Sequence, residues 1–172
     1  SYFKNSKVKI HDIKELKNYM KNIKKIYTLS NIQDFYGKLN VTIDKKTIDD
    51  ICHIFRIIKK KQEIENIKKA SQLTCVSIKH VMKNMNNSKN EKDLVSLFKR
   101  KLLEKNIYQM AFHPICSNGR NNSILHYNYN KNKLLKNSLI LMDVGCKYKE
   151  YCSDVTRTFP KSGRFTEKQK NI

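Results

Sequence analysis

Acidic residues are scarce in this chain. Its 172 residues include 15 Asp and Glu against 36 Lys and Arg, a formal net charge of +21. So basic a balance points first to nucleic acid or another anionic surface. A second scarcity counts against that reading. Only five of the 36 basic residues are Arg, the side chain that reads phosphate and base edges bidentately. The 31 lysines are spread along the chain among many asparagines, as an A-rich codon bias would produce. Nucleic acid is therefore not an expected partner. The five cysteines (Cys52, Cys75, Cys116, Cys146 and Cys152) contain no CxxC pair and are odd in number. That excludes a small disulfide scaffold and leaves reduced thiols in an intracellular compartment, cytoplasm or mitochondrion, as the expectation. No apolar run approaches the roughly 18 residues of a membrane span. Gly119 and Gly145 are too isolated for a phosphate loop, and no nucleotide motif or internal repeat is present. The chain opens on Ser1, so its true start is expected upstream and any targeting peptide with it.

Hydrophobic spacing supplies the elements. Ile13, Leu16, Met20, Ile23 and Tyr27 predict an amphipathic helix over residues 12–26. Residues 28–50 have weak periodicity and read as connections, with a short strand near Leu39–Ile43. A long helix follows over 61–85, with one face marked by Ile64, Ile67, Ser71, Thr74, Ile78, Val81 and Met85. The lysines at 59–61 and 68–69 read as its solvated side. Ser88 and Glu91 fit a capping box opening a second helix, carried to about Lys105 by Leu94, Val95, Phe98, Leu102 and Leu103. The pattern then changes. Residues 108–116 read as extended around Pro114, Ser117–Asn122 as a turn, and Ser123–Tyr127 as a short apolar strand. Leu139–Cys146 and Tyr151–Phe159 read as two strands about a short turn, and a helix capped by Thr166 begins near the end. Helices first and sheet later predict an α+β fold, with two long helices packed on a mainly antiparallel sheet.

Against this basic background two acids stand out. A turn centred between Tyr148 and Lys149 sets Asp143 directly opposite Asp154 on one face of the hairpin. Like charges so placed destabilise a sheet, more so where hydration is lost. Either one acid takes a proton, or divalent cations sit between them; an all-oxygen ligand set favours hard ions such as Mn²⁺ or Mg²⁺. The turn carries no Asn-Gly or Asp-Gly, so the register is not forced. A surface acid pairing with Arg157 is the other reading of Asp154. Cys146 and Cys152 flank the turn and read as free thiols. His11, His53 and His80 have no partner at ligand spacing, and His113, before Pro114, reads as structural.

The stretches FHPICSNGRNNSILHY and LILMDVGCKYKEYCSDVTRTFPKSGRFT, with FRIIKKKQEIENIKKASQLT upstream, resemble the M24 metallopeptidases, specifically those of the aminopeptidase P (Xaa-Pro aminopeptidase) type. The likeness covers residues 51–172, leaving 1–50 as the tail of an N-terminal domain and a linker. It implies a "pita-bread" fold, of which this chain holds the first part. It implies two divalent ions, most often manganese, with Asp143 binding one and Asp154 bridging both. It places His126 at an active-site histidine near the substrate, a peptide with proline second, and it leaves a homo-oligomer open. The family's other ligands, a histidine and two glutamates, are expected beyond Ile172. On that basis the chain alone is expected to have little or no peptidase activity. The alternative is a non-catalytic pita-bread module that binds protein or RNA through its basic surface.

Overall fold

The computed structural model of the chain describes residues 12–28 and 42–171. The chain divides into two compact units, Ser1–Lys59 and Lys60–Ile172.

In the first unit the helix expected over 12–26 is cut short. A 3-10 turn at Ile13–Glu15 leads into α1 (Leu16–Tyr19), and the chain then turns into strand β1 (Lys25–Tyr27). Tyr19 and Ile23 are 57% and 40% exposed, so the apolar stripe lacks the packing that a short helix needs. Ile26 instead pairs with Ile43 of β2 (Thr42–Asp44), in parallel. Of the strand expected near Leu39–Ile43, residues 39–41 lie outside the described residues. Residues 28–50 are not all connection. Helix α2 (Lys46–Ile57) starts where Asp44 accepts hydrogen bonds from the Thr47 backbone N–H (2.9 Å) and hydroxyl (3.0 Å). The unit break at Lys59/Lys60 falls after this helix, nine residues beyond the 50/51 boundary read from the sequence.

In the second unit the two long helices form as expected. Helix α3 spans Lys61–Asn84 and buries Ala70, Thr74, Ser77, Ile78 and Val81, while Ile64 at its start is exposed. The buried face is thus rotated slightly from the predicted one. Helix α4 spans Glu91–Leu103. Its cap lies two residues later than predicted. Asn90 Oδ1 accepts from the Asp93 N–H (3.1 Å) and Asp93 Oδ2 accepts from the Asn90 N–H (3.1 Å). This reciprocal pair satisfies the free donors of the helix start and leaves Ser88 and Glu91 out of the cap.

The helices pack on an antiparallel sheet of order β3 (Ile115–Asn118), β4 (Leu139–Val144), β7 (Val155–Pro160). Alternation along β4 decides what each face does. Ile140, Met142 and Val144 are fully buried and join Leu94, Phe98 and Leu102 of α4 and Ile78 and Val81 of α3 in one core. Leu139, Leu141 and Asp143 point to the other face. Beyond β4 a small ladder, β5 (Lys147–Tyr148) with β6 (Tyr151–Cys152), closes the hairpin. Only Ile115 and Cys116 of the extended stretch 108–116 are strand, apart from a bridge between Met110 and Cys146. Ser117 and Asn118 continue that strand, and a 3-10 turn occupies Gly119–Ser123. No strand forms at 123–127: Ile124 is 51% and Leu125 87% exposed, with no neighbouring strand to cover them. Thr166 caps the closing helix α5 (Glu167–Lys170) as predicted, accepting from the Gln169 N–H at 3.2 Å.

Candidate functional site

The hairpin register differs from the predicted one by a single step of the turn. The turn residues are Lys149 and Glu150, both at positive φ (46° and 67°). That is the backbone a two-residue hairpin turn of the primed type requires, here without glycine. Pairing therefore runs Tyr148 with Tyr151, Lys147 with Cys152, Val144 with Val155 and Asp143 with Thr156. Asp154 lies between β6 and β7, outside both ladders, and its carboxyl is within hydrogen-bonding reach of Asp143, so the two acids meet diagonally and not head-on.

The strands close tightly where Asp154 sits. A Cβ on Gly145 would lie 1.8 Å from the Ser153 carbonyl oxygen, so only glycine permits this approach. Ser153 is buried and fixes the crossing. Its hydroxyl accepts from the Cys146 N–H (3.1 Å) and lies 2.8 Å from the Thr74 hydroxyl of α3. Asp154 thus follows a residue bolted to both the partner strand and the long helix. The sequence marked neither Ser153 nor Gly145 as important, although D-x-G followed by S-D carries both.

Asp143 is half-buried between Ile115 of β3 and Thr156 of β7, and its Oδ1 is buried with no hydrogen-bond partner. Lost hydration, then hydrogen bonding and charge from the adjacent Asp143 carboxyl, raise the Asp154 carboxyl above its usual range. A cation would relieve both features at once. The chemistry of the donors fits a hard dication. Among the described residues, no third His, Cys, Asp or Glu joins them to complete a metal-binding group.

His126 shares a cleft with Asp143 from another element, while Asp154 is not among the residues lining that cleft. The cleft of about 310 Å³ is lined by Asp143, Leu141 and Thr156 of the sheet and by Ile124, Leu125 and His126 of the connection between β3 and β4. His126 is exposed at the cleft with φ of 52°, a left-handed conformation uncommon outside glycine. The other candidates go elsewhere. His113 Nε2 hydrogen-bonds with the Asn128 carbonyl (3.0 Å), a structural contact. Arg157 donates to the Thr156 carbonyl (2.7 Å). Cys146 is buried, with its sulfur 3.4 Å from the Ala70 carbonyl, and Cys152 is exposed; both are free thiols.

The family model for metallopeptidase family M24 matches residues 65–172, which hold the whole of this site. This chain belongs to metallopeptidase family M24. It is 34% identical over 127 residues to a "Probable Xaa-Pro aminopeptidase" of Pyrenophora teres f. teres, covering 74% of this chain and 14% of that protein. A protein of the same name from Phaeosphaeria nodorum is 32% identical over 146 residues, covering 84% and 18%. Among solved structures, zinc-substituted Escherichia coli aminopeptidase P in complex with product superposes with a TM-score of 0.77 at 24% identity, covering 92% of this chain and 40% of that one. The layered helices and antiparallel sheet of this M24 chain are therefore part of the pita-bread fold. The chain spans less than a fifth of the length of these two curated relatives.

Proposed function

We propose that this chain supplies part of the active site of a metal-dependent aminopeptidase that releases an N-terminal residue preceding proline. In this reading Asp143 and Asp154 hold two divalent ions, manganese in kind, and His126 faces the substrate. One observation carries it: a buried carboxylate oxygen with no partner, Asp143 Oδ1, beside a second carboxylate, that of Asp154. Without a cation, either one acid takes a proton or the two carboxylates repel, and a bound dication relieves both costs. Bound dications supply Lewis acidity and positive charge to a hydrolytic step.

The chain's own residues do the rest. Ile115, Leu141, Ile124 and Leu125 give the cleft apolar walls, suited to a proline ring and to excluding water from around it. His126 lines the same cleft, which supports its reading as a substrate-facing group. A two-metal site needs more ligands than two aspartates. We therefore expect the chain alone to show little or no peptidase activity.

The test is hydrolysis of an Xaa-Pro peptide with added Mn²⁺, using this chain and a form extended to the length of its relatives. The extended form should be active and should lose activity on Asp154→Asn. Unchanged turnover in that variant overturns the proposal. RNA binding with steep salt dependence and no metal uptake would instead favour a non-catalytic module using the basic surface.

A further inference from the structure

We propose that Glu91 is a positioning residue that fixes His126 at the cleft by clamping both ends of the loop that carries it. This deepens the reading of His126 as a substrate-facing group and rests on it.

Glu91 is 0% exposed at the first turn of α4, and the cap there belongs to Asn90 and Asp93. A buried carboxylate is tolerated only where its oxygens are fully engaged. Here Oε1 accepts from the Asn118 N–H (3.1 Å), Asn118 Nδ2 (2.9 Å) and Asn121 Nδ2 (3.0 Å). Oε2 accepts from the Tyr127 hydroxyl (2.8 Å) and the Asn132 N–H (3.0 Å). Every donor comes from the end of β3 or from the connection that follows it.

Two of those donors bracket the functional loop. Asn121 lies just before the segment 122–126 and Tyr127 just after it, and Asn121 Nδ2 also donates to the Tyr127 hydroxyl (3.1 Å). Within the bracket Ser123, Ile124, Leu125 and His126 are all exposed, so packing does not hold them. The left-handed backbone at His126 is nonetheless maintained. A non-glycine residue keeps such a conformation only when its surroundings over-determine it. Asn122 is tied to the sheet, accepting from the Ser117 hydroxyl (2.7 Å) and donating to the Leu139 carbonyl (3.1 Å); the exposed residues after it are held from the two ends, where Asn121 and Tyr127 both meet one carboxylate.

The clamp is tested in the whole 172-residue chain by Glu91→Gln. In either orientation the amide turns an NH₂ group toward a backbone N–H, that of Asn118 or of Asn132. Leu94→Ala serves as the comparison: Leu94 is equally buried one turn along α4 but belongs to the apolar core. The readouts are ¹⁵N relaxation of residues 124–126, the imidazole resonances of His126, and Tm. With Glu91→Gln, order parameters of 124–126 should fall from about 0.85 toward 0.6 and the His126 ring signals should shift. With Leu94→Ala, Tm should drop while the loop and the ring signals stay as in the wild type. Tyr127→Phe, which removes one donor, should loosen the loop partially, and it decides the matter on the same readouts if Glu91→Gln does not fold. An unchanged loop in the variants of the network, or an equal disturbance by Leu94→Ala, overturns the proposal. None of these readouts involves turnover, so the clamp and the peptidase reading fail separately.

Discussion

Asp143 and Asp154 are diagonal neighbours in the hairpin: Thr156 pairs with Asp143, and Asp154 stands just before β7 with its carboxyl within hydrogen-bonding reach of Asp143. The diagonal keeps two carboxylates close without setting them head-on. It depends on a turn built from two non-glycine residues in left-handed backbone and on a crossing so tight that it admits no side chain at position 145.

The acidic pair has a stability consequence. The Asp154 carboxyl is raised in the folded state, so the stability linked to its proton is present below the unfolded value of 3.8 and lost as pH rises through the folded value. At neutral pH without metal the pair therefore destabilises the fold. Asp154→Asn should raise the Tm of the metal-free chain at pH 7 and remove the gain in Tm that Mn²⁺ gives the wild type, as read by calorimetry with and without the ion.

Gly145→Ala should be costly. Its Cβ would overlap the Ser153 carbonyl, a backbone atom that cannot swing aside. Forcing the strands apart should cost about 3 kcal/mol, at the upper end for overpacking, in urea unfolding. Because Asp154 follows Ser153, metal uptake should fall as well.

The turn, by contrast, leaves room for improvement. Glu150 holds φ of 67° and is 80% exposed, in an ion pair with Lys147 at 3.0 Å. Glycine removes the steric cost of that backbone, while an exposed pair contributes little. Glu150→Gly should stabilise the chain by roughly 0.5–1 kcal/mol in the same unfolding assay.

In the first unit, the hydrogen bond from Lys25 (2.8 Å), then the Thr47 N–H, hold the Asp44 carboxyl down at about 2. A depressed carboxyl stabilises the fold above its unfolded value of 3.8, and the effect is lost as pH falls toward 2. The ¹³C shift of the Asp44 carboxyl should titrate near 2 in the wild type. Lys25→Met should move that titration upward.

What the sequence made legible follows from where local pattern and tertiary packing agree. Helices α3 and α4 were readable because their apolar spacing is also their buried face over most of their length. The hairpin was readable as an element, but its register was not. Lys149 and Glu150 bear no turn signal, and the tertiary contacts of Ser153 with Cys146 and Thr74 are what hold the pairing. Ser123–Tyr127 looked like a strand because it is apolar. Its conformation is instead dictated by polar side chains, Asn121 and Tyr127, held by Glu91 some thirty residues upstream. Ser88-x-x-Glu91 fits the capping-box pattern more closely, yet Asn90 and Asp93 make the reciprocal bonds, freeing Glu91 for the interior.

The central claim is that Asp143 and Asp154 converge on one metal site. It is tested most directly by adding Mn²⁺ stepwise to the ¹⁵N-labelled chain and following paramagnetic broadening residue by residue. Broadening should begin at Asp143, Gly145, Asp154 and Thr156 and should vanish there in both Asp143→Asn and Asp154→Asn. Broadening centred on other acids such as Glu167, or unaltered by either substitution, would contradict it.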